Sequence, residues 1–299
     1  IDYLNKKNTQ PFFLIMALNT PHSPMQVPEA FWNKYKDKHI QQRGSIPEKE
    51  DIEHTRAAMA LNENIDVNVG RVMNTLKKNN QLDNTIIIYF SDNGPNGNRY
   101  NGGMKGIKGS VDEGGVRVPF IIQWNKIIKG GRTIPSIAAN IDLFPTLIDL
   151  ADIEWKNPKP FDGISLKNIL LQGKYEASDR IIPSFWANET SVRSQQFRLS
   201  NKNELFDMVN DPNQTKNVSS SFPNEYEKLS AWKTNWIKNV RSELPEQDLR
   251  PLIVGNKKMT LTKLPASEAE ASGNIIRSSK HPNDSYFKGW KSTNDKICW

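Results

Sequence analysis

The amino-acid sequence predicts an α/β fold with a mostly parallel sheet flanked by helices, followed by a small antiparallel α+β subdomain. Short, strongly apolar runs in the first half suit strands that are buried on both faces of a sheet. A long amphipathic stripe lies between two of these runs. After about residue 175, shorter runs divided by polar turns replace this pattern. We therefore expect an α/β domain at residues 1–175 and the subdomain at residues 176–245.

The α/β region contains three predicted strands, at residues 12–18, 85–90 and 118–124. The first two are separated by a predicted helix, because apolar residues recur there at steps of three and four. A further helix is predicted at residues 142–151, and this order of strands and helices favours a mostly parallel sheet. The apolar positions are Ala58, Leu61, Ile65, Val69, Val72 and Leu76 in the first helix, and Phe144, Leu147, Ile148 and Ala151 in the second.

The subdomain is predicted to contain an antiparallel sheet covered by one helix. Its strands are expected at residues 180–186, 191–199 and 204–208, and a turn is expected at 211–213. Leu229, Trp232, Trp236 and Val240 step by three and four and predict the covering helix. Residues 246 to about 280 are expected to be an exposed connector. Residues 278–299 are expected to begin an appended β-rich module that binds carbohydrate through exposed aromatic side chains, or to form a tail whose aromatic side chains pack on the main body.

Composition excludes several classes of protein. With 36% hydrophobic and 24% charged residues in 299, the chain is expected to be folded and globular. No run approaches the roughly 18 to 20 apolar residues of a membrane span, so none is expected. The net charge of +7 comes from lysines scattered along the chain, without the motifs of a nucleic-acid module. The single cysteine, Cys298, permits neither an intrachain disulfide nor a cysteine zinc site.

The sequence Ser91-Asp92-Asn93-Gly94 follows the second predicted strand directly. In open α/β sheets the ligand crevice lies beyond the carboxyl ends of the strands, which favours a functional role at this position. Carboxylate and amide oxygens suit a hard divalent cation, so Asp92 and Asn93 are candidate ligands. The alternative is an Asx turn that closes the strand, with Gly94 at a positive φ angle.

A glycine-rich loop at residues 94–115 contains Lys105 and Lys108 and is followed by Arg117. Glycine allows the backbone to approach a tetrahedral anion, and lysine supplies a mobile positive charge, which would suit sulfate or phosphate. A solvated loop is the alternative. His22 lies in a proline-stiffened segment after the first predicted strand and is a candidate proton donor. A lone loop histidine is more often structural.

Together these motifs closely resemble the formylglycine-dependent sulfatases, which are arylsulfatase-like members of the alkaline phosphatase superfamily. The resemblance covers about residues 8–242, and its most specific block is residues 108–119. The matching runs are Pro11-Phe12-Phe13-Leu14, Pro21-His22-Ser23-Pro24, Ser91-Asp92-Asn93-Gly94, Lys108-Gly109-Ser110-Val111-Asp112-Glu113-Gly114-Gly115-Val116-Arg117-Val118-Pro119, Phe161-Asp162-Gly163-Ile164-Ser165-Leu166 and Glu204-Leu205-Phe206-Asp207-Met208.

The resemblance implies hydrolysis of small-molecule or polysaccharide sulfate esters. Asp92 and Asn93 would be two ligands of a calcium ion, with magnesium the less favoured metal. Lys108 would hold the sulfate group, and His22 would contact the sulfate or its bridging oxygen. Glu113, Gly114, Gly115 and Arg117 are interpreted as the turn and packing elements that aim Lys108, and a direct role for Lys105 is not favoured.

The nucleophile of such sulfatases is a formylglycine made from a cysteine or serine that lies two residues before a proline and four before an arginine. No such stretch occurs in this sequence. Since the chain also begins at Ile1 without an initiator methionine or a signal pattern, we expect it to start within a longer protein. The modified residue is therefore expected upstream, and residues 1–299 alone are expected to be inactive. The resemblance also suggests a periplasmic or secreted enzyme.

Two alternative functions keep the same fold. A phosphatase or phosphodiesterase of the superfamily would need a second set of Asp and His residues for two adjacent metals, and Asp92-Asn93 has no histidine beside it. A non-catalytic protein that binds glycans would keep the fold without a nucleophile.

Overall fold

The computed structural model describes residues 1–6, 10–44, 46–156, 159–173, 179–243, 253–279 and 285–299. The chain divides into two compact units, residues 1–238 and residues 239–299. The domain boundaries predicted near residues 175 and 245 lie outside the described residues and stay predictions. Among the described helices, none has both the length and the apolar character needed to span a bilayer.

The first unit begins with three helices, α1 (Asp2–Asn5), α2 (Glu29–Tyr35) and α3 (Ile52–Lys78). Helix α3 begins where the Asp51 carboxylate accepts a hydrogen bond from the backbone N–H of His54 at 3.0 Å. It ends with Lys77 and Lys78, whose charges favour the helix C-terminus. Its buried face confirms the predicted helix and contains Ala58, Leu61, Ile65 and Leu76.

Strands β1 (Ile87–Phe90) and β2 (Phe120–Gln123) confirm two of the predicted strands. They form an antiparallel pair, in which Ile88 lies opposite Ile122, whereas parallel neighbours were expected for this region. Their faces are partly exposed, and Ile121 is 61% exposed, so the expectation of full burial was also wrong. With helices on the same unit, the architecture is α/β as predicted.

The prediction of a buried strand at residues 12–18 was wrong. These residues form neither a helix nor a paired strand, and Phe13 and Ile15 are 75% and 74% exposed. A strand needs a neighbour to bond its N–H and C=O groups, and no described strand pairs with this segment. Apolarity alone therefore could not produce the predicted strand.

Three short helices follow in the first unit, α4 (Glu113–Val116), α5 (Leu143–Leu150) and α6 (Lys167–Gln172). Leu150, Leu166 and Leu170 form a buried cluster against Ile122 of β2. The predicted helix at residues 142–151 is present as α5. Its Phe144 does not face the core as its spacing suggested, because it is 49% exposed and packs edge-on against Trp155 and Phe161.

The remainder of the first unit is a four-stranded antiparallel sheet in the order β3–β4–β5–β6. Its strands are Ile182–Trp186, Glu189–Arg193, Phe197–Leu199 and Leu205–Asp207. The sheet confirms the predicted antiparallel strands, and the bounds of the subdomain stay a prediction. The single strand predicted at 191–199 is two strands, because the backbone N–H of Ser194 donates to the Phe197 carbonyl and reverses the chain.

Side chains alternate between two faces of this sheet. One face carries Val192, Leu199 and Leu205, which pack with Leu229 of helix α7 (Pro223–Ser242) into a buried core. We call it the helix face. The opposite face carries Ser191, Arg193 and Arg198, and it contacts the glycine-rich loop. We call it the loop face.

The second unit contains two small antiparallel pairs. Strand β7 (Glu270–Ser272) pairs with β10 (Lys296–Cys298), and β8 (Ile276–Arg277) pairs with β9 (Phe287–Lys288). The indole N–H of Trp299 donates to the Pro265 carbonyl at 2.8 Å. Residues 270–277 thus contain strands where the sequence predicted a connector. The appended β-rich module stays a prediction.

Candidate functional site

The loop between β1 and β2 carries most of the predicted site residues. Its two arms are joined by backbone hydrogen bonds, from Gly94 N–H to the Gly115 carbonyl at 2.8 Å and from Lys108 N–H to the Pro95 carbonyl at 2.9 Å. These bonds bring the Asp92-Asn93 segment and Lys108 into neighbouring parts of one loop structure. The fold of the loop itself therefore brings together residues that are separated in sequence.

Close backbone approach explains two glycines of this loop. A Cβ atom at Gly94 would lie 1.9 Å from the Gly114 carbonyl oxygen, and one at Gly114 would lie 2.4 Å from the Gly106 carbonyl oxygen. Gly94 is not among the residues with positive φ, so the reason suggested by an Asx turn is wrong. The requirement for glycine here is steric.

The structure brings the side chains of Lys108 and His22 together. The Lys108 Nζ atom lies 3.1 Å from His22 Nε2, and both side chains are exposed. His22 Nδ1 lies 2.7 Å from the Ser23 carbonyl oxygen, which can only accept a hydrogen bond. Nδ1 therefore carries the proton, and Nε2 accepts from the Lys108 ammonium group. The arrangement presents a cation and a ring nitrogen to solvent side by side.

A second basic pair lies beside the first and was missed from the sequence. An Arg99 Nη2 group donates to His54 Nδ1 at 2.7 Å, and His54 Nε2 lies 3.4 Å from the Ser23 hydroxyl. Because arginine can only donate, the proton of neutral His54 is on Nε2, facing Ser23. The only available signal was that His54 is one of four histidines.

The environment of this pair favours neutral histidine. Partial burial and the nearby Arg99 charge lower the pKa of His54, against the opposing effect of Asp51. Burial also lowers the pKa of Arg99, although Glu50 and Asp51 counteract it. His54 is thus an acceptor for Arg99 near neutral pH, and protonation would remove that role.

Asp92 and Asn93 lie directly after β1, as predicted. The Asp92 carboxylate is exposed, and its Oδ1 lies at a long 3.4 Å from the Ser91 hydroxyl, so its oxygens are accessible. In the described residues no cluster of three or more His, Cys, Asp or Glu side chains could hold a metal. The donor chemistry fits a hard cation, but the two residues supply only part of its six to eight ligands.

A buried ionic cluster fixes the end of the glycine-rich loop. Both Nη2 and Nε of Arg198 donate to Glu113 Oε2, at 2.7 and 3.1 Å, and Arg193 Nε lies 3.5 Å from the same atom. Arg117 reaches Glu113 Oε1 at 3.3 Å from the exposed side. Burial would raise the pKa of Glu113, but the arginine charges outweigh it and lower the pKa. Burial lowers the pKa of Arg193 to about 10.

Other bonds tie the same loop to the subdomain. The Ser191 hydroxyl and an Arg198 Nη1 group both donate to the Val111 carbonyl, at 2.6 and 3.0 Å. The backbone N–H of Glu113 donates to Gln214 Oε1 at 2.9 Å, and the Lys105 ammonium lies over the Phe206 ring. This supports the reading of Glu113 as a packing element. Local sequence patterns contained no signal for Arg198 and Gln214 as its partners, because these residues are 85 and 101 positions away.

Comparison with known families gives two matches on this chain. The model of the family "Sulfatase" matches residues 1–153, which include the glycine-rich loop and the pair of Lys108 and His22. The model "N-sulphoglucosamine sulphohydrolase, C-terminal" matches residues 108–243, from Lys108 to the end of helix α7. The two matches overlap at residues 108–153, which include the end of the glycine-rich loop, β2 and α5.

Characterised proteins show the same similarity over part of their length. The chain is 29% identical to an arylsulfatase of Clostridium perfringens over 255 residues, which covers 74% of this chain and 52% of that protein. It is 29% identical to an N-acetylglucosamine-6-O-sulfatase of Bacteroides thetaiotaomicron over 219 residues, 65% of this chain and 38% of that protein. The chain therefore spans about half or less of these relatives.

A solved structure, that of Ps i-CgsB in complex with k-i-k-neocarrahexaose, has a similar fold. Its TM-score is 0.68 at 27% identity, over 79% of this chain and 51% of that one. The similarity extends beyond one motif to most of the described architecture.

Proposed function

Because the chain belongs to the sulfatase family, we propose that the protein hydrolyses sulfate esters of small molecules or polysaccharides. The observation that carries this proposal is the Lys108–His22 pair, whose polar atoms lie 3.1 Å apart. A sulfate ester presents anionic oxygens and a bridging oxygen that must leave with a proton. An ammonium group beside an imidazole nitrogen meets both requirements.

Lys108 is proposed to bind the sulfate group. Its ammonium now donates to His22 Nε2, and an incoming sulfate oxygen is a stronger acceptor for the same proton. The exposed position of Lys108 leaves room for that exchange. Charge that develops on the sulfate oxygens would then be stabilised by a fixed cation.

His22 is proposed to handle the proton of the leaving alcohol. Its Nδ1–H is held by the Ser23 carbonyl, so Nε2 is the atom that takes up a proton and donates it to the bridging oxygen. The hydrogen bond at Nδ1 also fixes the plane of the ring. Without this bond, the ring of His22 would have to adopt the required orientation anew in each turnover.

Asp92 and Asn93 are proposed to hold a calcium ion, with magnesium less favoured. When bound, such an ion supplies positive charge that polarises a sulfate oxygen. The remaining ligands must come from elsewhere, water included. We also propose that the nucleophile is a formylglycine outside residues 1–299, as the family resemblance implies.

The test is to assay the purified full-length protein with N-acetylglucosamine 6-sulfate, an aryl sulfate and the matching phosphate esters, with and without calcium. Release of sulfate well above release of phosphate would support the proposal. Preference for phosphate would instead support a phosphatase or phosphodiesterase. Binding of sulfated glycans without hydrolysis of any ester would identify a non-catalytic protein.

A further inference from the structure

Trp186 is an exposed aromatic side chain beside the proposed sulfate-binding loop. It is the last residue of β3 and is 57% exposed. A Cβ atom at Gly109 would lie 3.8 Å from its indole Nε1, so the ring lies against the residue that follows Lys108. Large exposed apolar side chains next to a charged site are typical of ligand contacts.

The register of the sheet shows which way Trp186 faces. Ser184 lies opposite Ser191, and Trp186 lies opposite Glu189, so these four residues share one face. That face is the loop face, because the Ser191 hydroxyl donates to the Val111 carbonyl. Trp186 and Glu189 therefore extend the loop face beyond its buried arginines, toward solvent.

The turn that joins β3 and β4 holds this pair in place. Ala187 and Asn188 both have positive φ angles, 49° and 68°, as in the two-residue turns whose twist matches that of paired strands. The strand at one end and the turn at the other leave the Trp186 backbone little freedom. A ring on such a rigid hairpin can bind at low entropic cost.

We propose that Trp186 and Glu189 form a subsite for the sugar ring that carries the sulfate group held by Lys108. The C–H face of a pyranose would stack on the indole, and the Glu189 carboxylate would accept hydrogen bonds from ring hydroxyls. This inference rests on the proposed function. It deepens that function by naming a sugar sulfate as the substrate class and the subdomain as the source of specificity.

Phe185 provides a matched control on the same strand. It is exposed to a similar extent, 52%, but lies on the helix face, where its ring is 6.5 Å from that of Trp236. Trp186→Ala and Phe185→Ala thus each remove one exposed ring from β3. Only the first change removes a ring from the loop face.

The experiment measures the ratio of kcat/KM for N-acetylglucosamine 6-sulfate to that for propyl sulfate in the full-length protein. Trp186→Ala should lower this ratio about tenfold, through a higher KM for the sugar, as expected for the loss of one stacked ring. Trp186→Tyr should restore most of it, and Phe185→Ala should leave it at the wild-type value. Because a ratio is measured, general loss of fold or of catalytic power cancels. An unchanged ratio in Trp186→Ala would overturn the subsite.

Failure of the proposed function would be recognised separately. If the wild-type protein hydrolyses neither ester, binding of N-acetylglucosamine 6-sulfate is measured by calorimetry instead. About tenfold weaker binding by Trp186→Ala, with unchanged binding by Phe185→Ala, would still support the subsite. Equal binding by wild type and Trp186→Ala would overturn it.

Discussion

At the scale of single residues, two histidines near the proposed site have opposite tautomers. His22 carries its proton on Nδ1 because Ser23 offers a carbonyl, whereas neutral His54 carries it on Nε2 because Arg99 donates to Nδ1. Ser23 lies between the two rings. Nε2 of His22 therefore faces the Lys108 ammonium, whereas Nε2 of His54 faces the Ser23 hydroxyl. The two histidines should respond differently to substitution and to pH.

Replacement of Lys108 by alanine should lower sulfatase turnover about 100-fold, the usual scale for loss of one charge-stabilising group. Lys105→Ala is the matched control in the same loop, because its ammonium packs over Phe206 instead. Steady-state kinetics of the full-length protein would check this. Turnover that falls equally in both variants would contradict a specific role for Lys108.

Asp92→Ala should lower activity and abolish most of the rise in melting temperature that calcium produces, because binding to the folded state stabilises it. Asp66, an exposed carboxylate on helix α3, is the control. Thermal unfolding with and without calcium gives the result. If calcium raised the melting temperature of Asp92→Ala as much as that of the wild type, Asp92 would not be a ligand.

Acidification should weaken the fold through His54. Because its pKa is lowered in the folded state, the unfolded chain binds more protons, and stability is fully present above the ordinary value of about 6.5 and lost as pH falls below it. The urea concentration at the unfolding midpoint should therefore decrease when the pH is lowered from 7.5 to 5.5. The His54→Gln variant should show a smaller decrease in this midpoint. The His39→Gln variant, which changes an exposed histidine, should show the same decrease as the wild type. Equal falls in all three proteins would exclude His54 as the cause.

At the scale of elements, the antiparallel sheet connects the proposed site to the fold. Its helix face packs against α7, and its loop face binds Glu113 and Val111 of the glycine-rich loop. The orientation of Lys108 therefore depends on a sheet that begins more than 70 residues later. Polar contacts join the loop face to the glycine-rich loop, whereas an apolar core joins the helix face to α7.

Arg198→Met should lower the free energy of unfolding by about 3 kcal/mol or more, because it leaves the Glu113 carboxylate buried beside weaker partners. Adding Glu113→Gln to this variant should recover part of the loss, since the buried charge is then removed. Urea unfolding of both variants tests this. As a control, Lys228→Ala breaks the exposed pair with Asp179 and should leave the midpoint unchanged. A double variant less stable than Arg198→Met would contradict the explanation.

At the scale of the whole molecule, the first unit exposes many large apolar side chains. Several of them lie in the segment at residues 12–18 and on strands β1 and β2. Exposed apolar surface of this kind provides contacts for apolar ligands.

The chain of residues 1–299 should bind an apolar dye such as anilinonaphthalene sulfonate, and the double variant Phe13→Ser and Ile15→Ser should bind markedly less. Val209→Ser changes a side chain of similar exposure, 67%, that lies outside this surface, and it should not reduce the signal. Fluorescence titration provides the measurement. The surface would be shown to be covered if the wild-type chain bound no dye.

The sequence by itself determined the elements that depend on local periodicity and the residues that depend on motifs. Helix α3 follows from apolar positions every three or four residues, and the site candidates follow from short runs at strand ends. Only the tertiary structure decided the antiparallel pairing of β1 with β2, the exposed conformation of residues 12–18, and the roles of His54, Arg99 and Arg198. The physical reason is that pairing, burial and ion-pair partners are set by groups distant in sequence, which local patterns do not encode.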